Sequence, residues 1–226
     1  MTSLRAYARA IAALLTPREQ AALRRLDTPH KIQGYIDALK PNYGLQGDSH
    51  MSPRRVMATK MAHCTEGAML AAACLLFHGR DAWLMDLRAI PADQDHVVCL
   101  FKQRGRWGAM SKSNHIVLRW RDPIYASPRE LAMSYAHEYF ASAGRKSLVS
   151  FSRPFALTRY APARWVVAEE ELDWLMEKLD DSRHELLAPP SVLRARRRAS
   201  AFERDVVETL EYPDPRKRKP AQRNKR

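Results

Sequence analysis

The chain has 226 residues, 46% of them hydrophobic, and a formal net charge of +13. That length suits one domain with appendages, and that apolar content excludes wholesale disorder. Three cysteines exclude a disulfide framework without a leftover thiol, and no run approaches the ~18 apolar residues of a membrane span.

Residues 1–11 lack the clean apolar stretch of a secretory signal, so a cytoplasmic protein with reduced thiols is expected. Residues 4–26 read as amphipathic helix, interrupted at Thr16-Pro17, where Thr caps and Pro takes the first helical position. Thr28-Pro29 repeats that signal for a helix over about 29–39, with Ile32, Tyr35, Ile36 and Leu39 on one face. Residues 44–51 form a polar loop, and Ser52-Pro53 starts another short helix leading into His63-Cys64.

The run from Ala68 to Phe77 carries no charge and is rich in Ala, Met and Leu. It predicts a helix buried on most of its surface, with Thr65 and Glu66 in its first turn and Gly79 just past its end. Cys64 then stands at the helix head, where backbone N–H groups point outward and favour an anion. A thiol is a good nucleophile only as thiolate, and a nearby imidazole lowers its pKa further. Strands are expected near 82–88, 95–102, 106–111 and 115–120. The second of these opens with His96, and Gly105-Arg106-Trp107 turns into the third.

Ser127-Pro128 opens a helix expected over 127–142, with Leu131, Tyr135 and Tyr139 on one face. Residues 148–151 suggest a short strand, 165–187 carry helical spacing, and a basic helix is expected over about 191–211. Charge concentrates at this end: residues 194–226 hold twelve Lys/Arg against five Asp/Glu. From residue 213 onward a disordered basic tail is expected, suited to non-specific contact with a polyanion. No C-x-x-C pair, no H-x-x-x-H pair and no glycine-rich phosphate loop occurs, so neither metal nor cofactor is expected. Asp86, within an apolar strand, is a candidate partner for an arginine.

The order of Cys64 on a buried helix, His96 on a following strand and Trp107 beyond it resembles the transglutaminase-like superfamily, a branch of the papain-like cysteine fold. Lys112-Ser113-Asn114, Arg121-Asp122-Pro123 and Glu130-Leu131-Ala132-Met133-Ser134-Tyr135 resemble a bacterial branch of it. The resemblance implies an α+β fold in which an antiparallel sheet packs against the buried helix that starts with Cys64, plus extra helices. It implies Cys64 as nucleophile and His96 as base. The superfamily places an Asp four residues after the Trp, a position held here by Ser111. Ser111, Asn114 and Asp122 are the alternatives for the group that orients His96. A serine hydroxyl holds the imidazole tautomer without supplying negative charge.

The expected organisation is an N-terminal helical segment (1–50), a transglutaminase-like core (51–145), a wrapping extension (146–212) and the basic tail (213–226). The expected activity is that of a cysteine amidase, peptidase or acyltransferase acting on a protein or peptide amide through a thioester. The alternative is a non-catalytic module of the same fold that holds a polyanion with its tail.

Overall fold

In a computed structural model, residues 3–44, 49–141, 143–207 and 209–215 are described. The Ser/Thr-Pro pairs act as helix starts throughout. Thr16, Thr28, Ser52 and Ser127 each accept a backbone N–H three residues on, ahead of α2 (Pro17–Arg25), α3 (Pro29–Asp37), α4 (Pro53–Thr59) and α6 (Pro128–Met133). Each cap satisfies one of the orphan donors of a first turn. α1 (Leu4–Leu14) precedes α2 across the expected break. α5 (Cys64–Phe77) ends at His78, and Gly79 follows with φ +67°, the left-handed stop that glycine adopts without strain.

Two residues, β1 (Lys40–Pro41), pair in parallel with β2 (Met61–Ala62). The main sheet holds β3 (Trp83–Ala89), β4 (His96–Gln103), β5 (Arg106–Met110), β6 (Arg121–Tyr125), β7 (Leu148–Ser152) and β8 (His184–Leu186). Its order is β6-β5-β4-β3-β7-β8, and every pairing in it is antiparallel. The fold is therefore α+β. Strands from the 146–212 segment complete the same sheet that the 51–145 segment begins.

Side chains alternate across the strands and give the sheet two apolar faces. Leu84, Val97, Cys99, Phe101 and Met110 face α5 and the helices around it. Met85, Leu87, Val98, Leu100 and Ala109 face Leu131, Tyr135 and Tyr139 instead. Coverage on both sides explains why β4 is buried from His96 to Phe101. Ala71, Ala72 and Ala73 are fully buried, and their small side chains let α5 lie close to its neighbours.

Several expected elements take different shapes. The strand expected at 115–120 lies instead at 121–125, because Leu118 adopts φ +60° and turns the chain. Pro123 is tolerated there because β6 is a sheet edge. The helix expected to reach 142 stops at Met133. The Ser134 hydroxyl bonds the Leu131 carbonyl at 2.6 Å, and the next bonds are three-residue turns through Glu138. Of the 165–187 stretch only α7 (Asp173–Asp180) is helical, and 184–186 joins the sheet. The basic helix divides into α8 (Pro190–Arg194) and α9 (Ala201–Val207). Between them the Arg196 guanidinium takes the carbonyls of Leu193, Leu148 and Lys146, tying the chain to β7. Residues 213–215, expected in the mobile tail, are described, and the Pro213 carbonyl accepts from the Tyr43 hydroxyl. Residues 216–226 lie outside the described part of the chain. Among the described residues no helix is long and apolar enough to cross a membrane.

Candidate active site

The first turn of α5 is organised by a histidine acting as N-cap. His63 is extended (φ −96°, ψ −173°), and its ring accepts the Thr65 N–H at 3.2 Å through Nδ1. Its Nε2 meets the Ser49 carbonyl at 2.5 Å and donates to it, since a carbonyl can only accept. Glu66, three residues after the cap, closes a capping box by accepting the His63 N–H at 2.9 Å. The Glu66 carboxylate is fully buried and also accepts from the Met51 N–H, the Ser49 hydroxyl and the Asn42 amide. It therefore ties Asn42, Ser49 and Met51 to the head of α5. Asn42 and Ser49 flank the stretch 45–48, which lies outside the described residues.

Cys64 is the first residue of α5 and is half-buried. His96, at the head of β4, is buried. Cys64 Sγ stands 3.8 Å from the Thr65 hydroxyl, and His63 and His96 line the same cleft beside it. Burial opposes its ionisation, but the hydrogen bonds and positive charge of the two imidazoles hold it well below the ordinary thiol value of 9.0. For His63, burial acts to lower the pKa. The hydrogen bond and charge of Cys64, with the charge of Glu66, overcome this and raise it from 6.5 to about 9. A charged His63 carries hydrogen on both ring nitrogens and no longer accepts the Thr65 N–H, so pairing with the thiolate and capping α5 through Nδ1 are alternative states of this ring.

His96 Nε2 lies 2.6 Å from the Ser111 hydroxyl and 3.1 Å from the Leu118 carbonyl. The same hydroxyl donates to Leu118 at 2.9 Å. A serine has one proton, so toward His96 it acts as acceptor and Nε2 carries the hydrogen. Ser111 is fully buried and is itself held by Gln33 of α3. The Gln33 amide donates to the Ser111 carbonyl at 2.9 Å and accepts its N–H at 3.0 Å. Leu118, in the left-handed region at a cost of roughly 1–2 kcal/mol, presents its carbonyl to this pair.

A glycine allows α5 and the end of β5 to meet. A Cβ on Gly67 would stand 2.7 Å from Lys112 Cβ, closer than side chains tolerate. Lys112 is anchored in turn to the end of α3, its Nζ donating to the Leu39 carbonyl at 2.5 Å. Burial lowers the pKa of this amine.

His96 and Ser111 are in contact, and Cys64 and His96 line one cleft. Asn114 is engaged elsewhere: its amide bonds the Tyr43 hydroxyl and the backbone of Tyr212, and its oxygen accepts the Tyr212 N–H. The reason is that the chain turns at Leu118 and folds 113–115 toward the C-terminal segment. Asp122 is absent from the cluster too, accepting instead from the Trp120 indole at 2.8 Å. Asp86 pairs with His184 at 3.0 Å and lies 3.6 Å from Arg88.

From the sequence, His63 reads as a neighbour that tunes or shields the thiol, or as a loop residue, and Gln33, Gly67 and the Leu118 carbonyl do not stand out. His63 and Glu66 were recoverable from their cap-box spacing. Gln33 and Leu118 left no comparable local signal. The cluster opens onto a cleft of about 940 Å³, lined by His63, Cys64, His96, Lys112, Asn114 and Leu210 among others. No protein-family model matches the chain, and no curated protein is significantly similar to it.

Proposed function

We infer that this protein is a transglutaminase-like cysteine amidase, peptidase or acyltransferase, with Cys64 as nucleophile, His96 as base and Ser111 as a positioning residue. The observation that carries the reading is a half-exposed thiol at a helix head, held low by two imidazoles and facing a cleft. Cys64 Sγ attacks the carbonyl carbon of a carboxamide or peptide bond, and the π pair moves onto oxygen. The Cys64 N–H at the start of α5 supports the oxyanion; the Thr65 N–H is taken by His63. As the tetrahedral intermediate collapses, the C–N bond breaks and the leaving amine takes the proton held on His96. A thioester remains. Water or an amine then attacks it, giving His96 a proton and releasing acid or new amide, and the proton returns with the thiol–imidazole pair.

The neutral Ser111 fits a slow or specialised turnover. It fixes the tautomer, but it offers no charge to stabilise an imidazolium. In the second reading the fold is a binding module, favoured by the basic composition of residues 194–226. A polyanion held by that tail would show steep salt dependence and little sequence preference. Labelling with iodoacetamide at about pH 6 tests the first reading. Rapid alkylation of Cys64 supports it, and a thiol that reacts only at alkaline pH removes it.

A further inference from the structure

The C-terminal segment runs into the same cleft as Cys64. Val207, Leu210 and Asp214 line that cleft together with Cys64 and His96. The segment is held as an added strand: Leu210 pairs antiparallel with His115, and the Glu211 N–H donates to the Asn114 carbonyl at 2.9 Å. The Asn114 side chain completes the pairing as a peptide unit would. Its oxygen accepts the Tyr212 N–H at 2.9 Å and its nitrogen donates to the Tyr212 carbonyl at 2.9 Å. The Tyr43 hydroxyl lies 2.9 Å from the Tyr212 carbonyl and 3.2 Å from the Pro213 carbonyl, and its single proton is shared between them.

Two properties mark this as a site for a polypeptide and not only a fold contact. First, most of the grip is on backbone groups, and side-chain ties include the Glu211–Arg119 ion pair at 2.5 Å and the Lys112 ammonium 5.9 Å from the Tyr212 ring. A backbone grip of this kind accepts any extended chain, the β-augmentation mode of peptide recognition. Second, no side chain in 209–215 is buried, and none belongs to either apolar core. No buried apolar side chain anchors the segment, and its backbone hydrogen bonds are ones a competing chain can replace one for one.

We propose that Asn114, Tyr43 and His115 form a subsite for an extended polypeptide substrate, occupied in cis by residues 209–214, so that the tail competes with the substrate. This rests on the reading of Cys64 as nucleophile, and it names that site's substrate class and restraint. In the tail variant Glu211→Arg/Tyr212→Pro, the Arg119 partner becomes repulsive and the N–H given to Asn114 is removed.

The test uses the full chain and two readouts. The first is anisotropy of a fluorescein-labelled peptide, Thr-Leu-Glu-Tyr-Pro-Asp-Pro, copied from residues 209–215. The tail variant should bind it about tenfold tighter than the natural chain, and adding Asn114→Ala should abolish the gain. The second readout is alkylation of Cys64 by iodoacetamide and by a peptidyl chloromethyl ketone. The tail variant should speed the peptidyl reagent about tenfold and leave iodoacetamide unchanged. Equal peptide affinity in both proteins, or binding indifferent to Asn114→Ala, overturns the subsite. Silence of Cys64 toward both reagents, with peptide binding as expected, overturns the nucleophile and leaves the subsite standing.

Discussion

Cys64 and Cys74 stand on the same helix, one at its head and one in its middle, yet their thiols move in opposite directions. Burial pushes Cys74 up to about 12, and Cys99 on β4 rises as well, for burial first and its neighbour Cys74 second. Cys64, half-buried, also meets a burial penalty and still falls well below the ordinary value. Burial acts in the same direction on both thiols, so it does not account for the opposite outcomes. What separates them is the pair of imidazoles at the head of α5, one supplied by the N-cap and one by β4.

The difference should break first at His96. His96→Gln removes one hydrogen bond and one charge from the thiolate and should slow alkylation of Cys64 at about pH 6 by at least about 100-fold. A change of only twofold would mean that His96 is not the base. His63→Gln should cost about tenfold, roughly one pKa unit, and should also weaken the cap. The sign of its pH dependence follows from the raised value. The stabilisation from charged His63 is fully present below about 6.5 and is lost as pH rises through about 9. The Cys64 contribution runs the other way, present above 9.0 and lost as pH falls through the thiol's lowered value. The difference in Tm between natural chain and His63→Gln should accordingly shrink on going from neutral pH to about pH 10.

How much of this was legible in the sequence varies from element to element. The four Ser/Thr-Pro starts, the uncharged run of α5 and its Gly79 stop are local signals, and each produced its element. Trp107 and the position four residues after it led to Ser111, which stands on His96. The misses share a cause: a long-range contact overrides a local pattern. Ile116-Val117-Leu118 reads as strand, but Leu118 is turned into the left-handed region, with its carbonyl toward Ser111. The basic helix expected over 191–211 is broken where Arg196 bonds the carbonyls of Leu148 in β7 and Lys146 just before it. Asn114 has the right chemistry to orient an imidazole, but its amide is spent on Tyr212, far along the chain.

Smaller effects sharpen the comparison. Gln33→Ala leaves the N–H and carbonyl of buried Ser111 without their partner. It should lower stability by about 1–3 kcal/mol in denaturant melts and slow Cys64 labelling only a few fold, through a looser His96. Unchanged stability would show that other groups hold Ser111. Cys74→Ala is the near-zero arm for reactivity. It should leave the labelling rate of Cys64 unchanged while costing about 1 kcal/mol for a small cavity. A large drop in labelling would mean that the modified thiol is Cys74.

The most direct test maps alkylation of the native chain by mass spectrometry across pH, reading all three cysteines in one sample. The account predicts that Cys64 is modified rapidly at about pH 6, with a rate nearly flat up to pH 8. Cys74 and Cys99 should stay unmodified until the protein is unfolded. If Cys64 is silent at pH 6, or gains its reactivity only near the ordinary thiol value of 9.0, the paired thiolate at the head of α5 does not exist and the account fails.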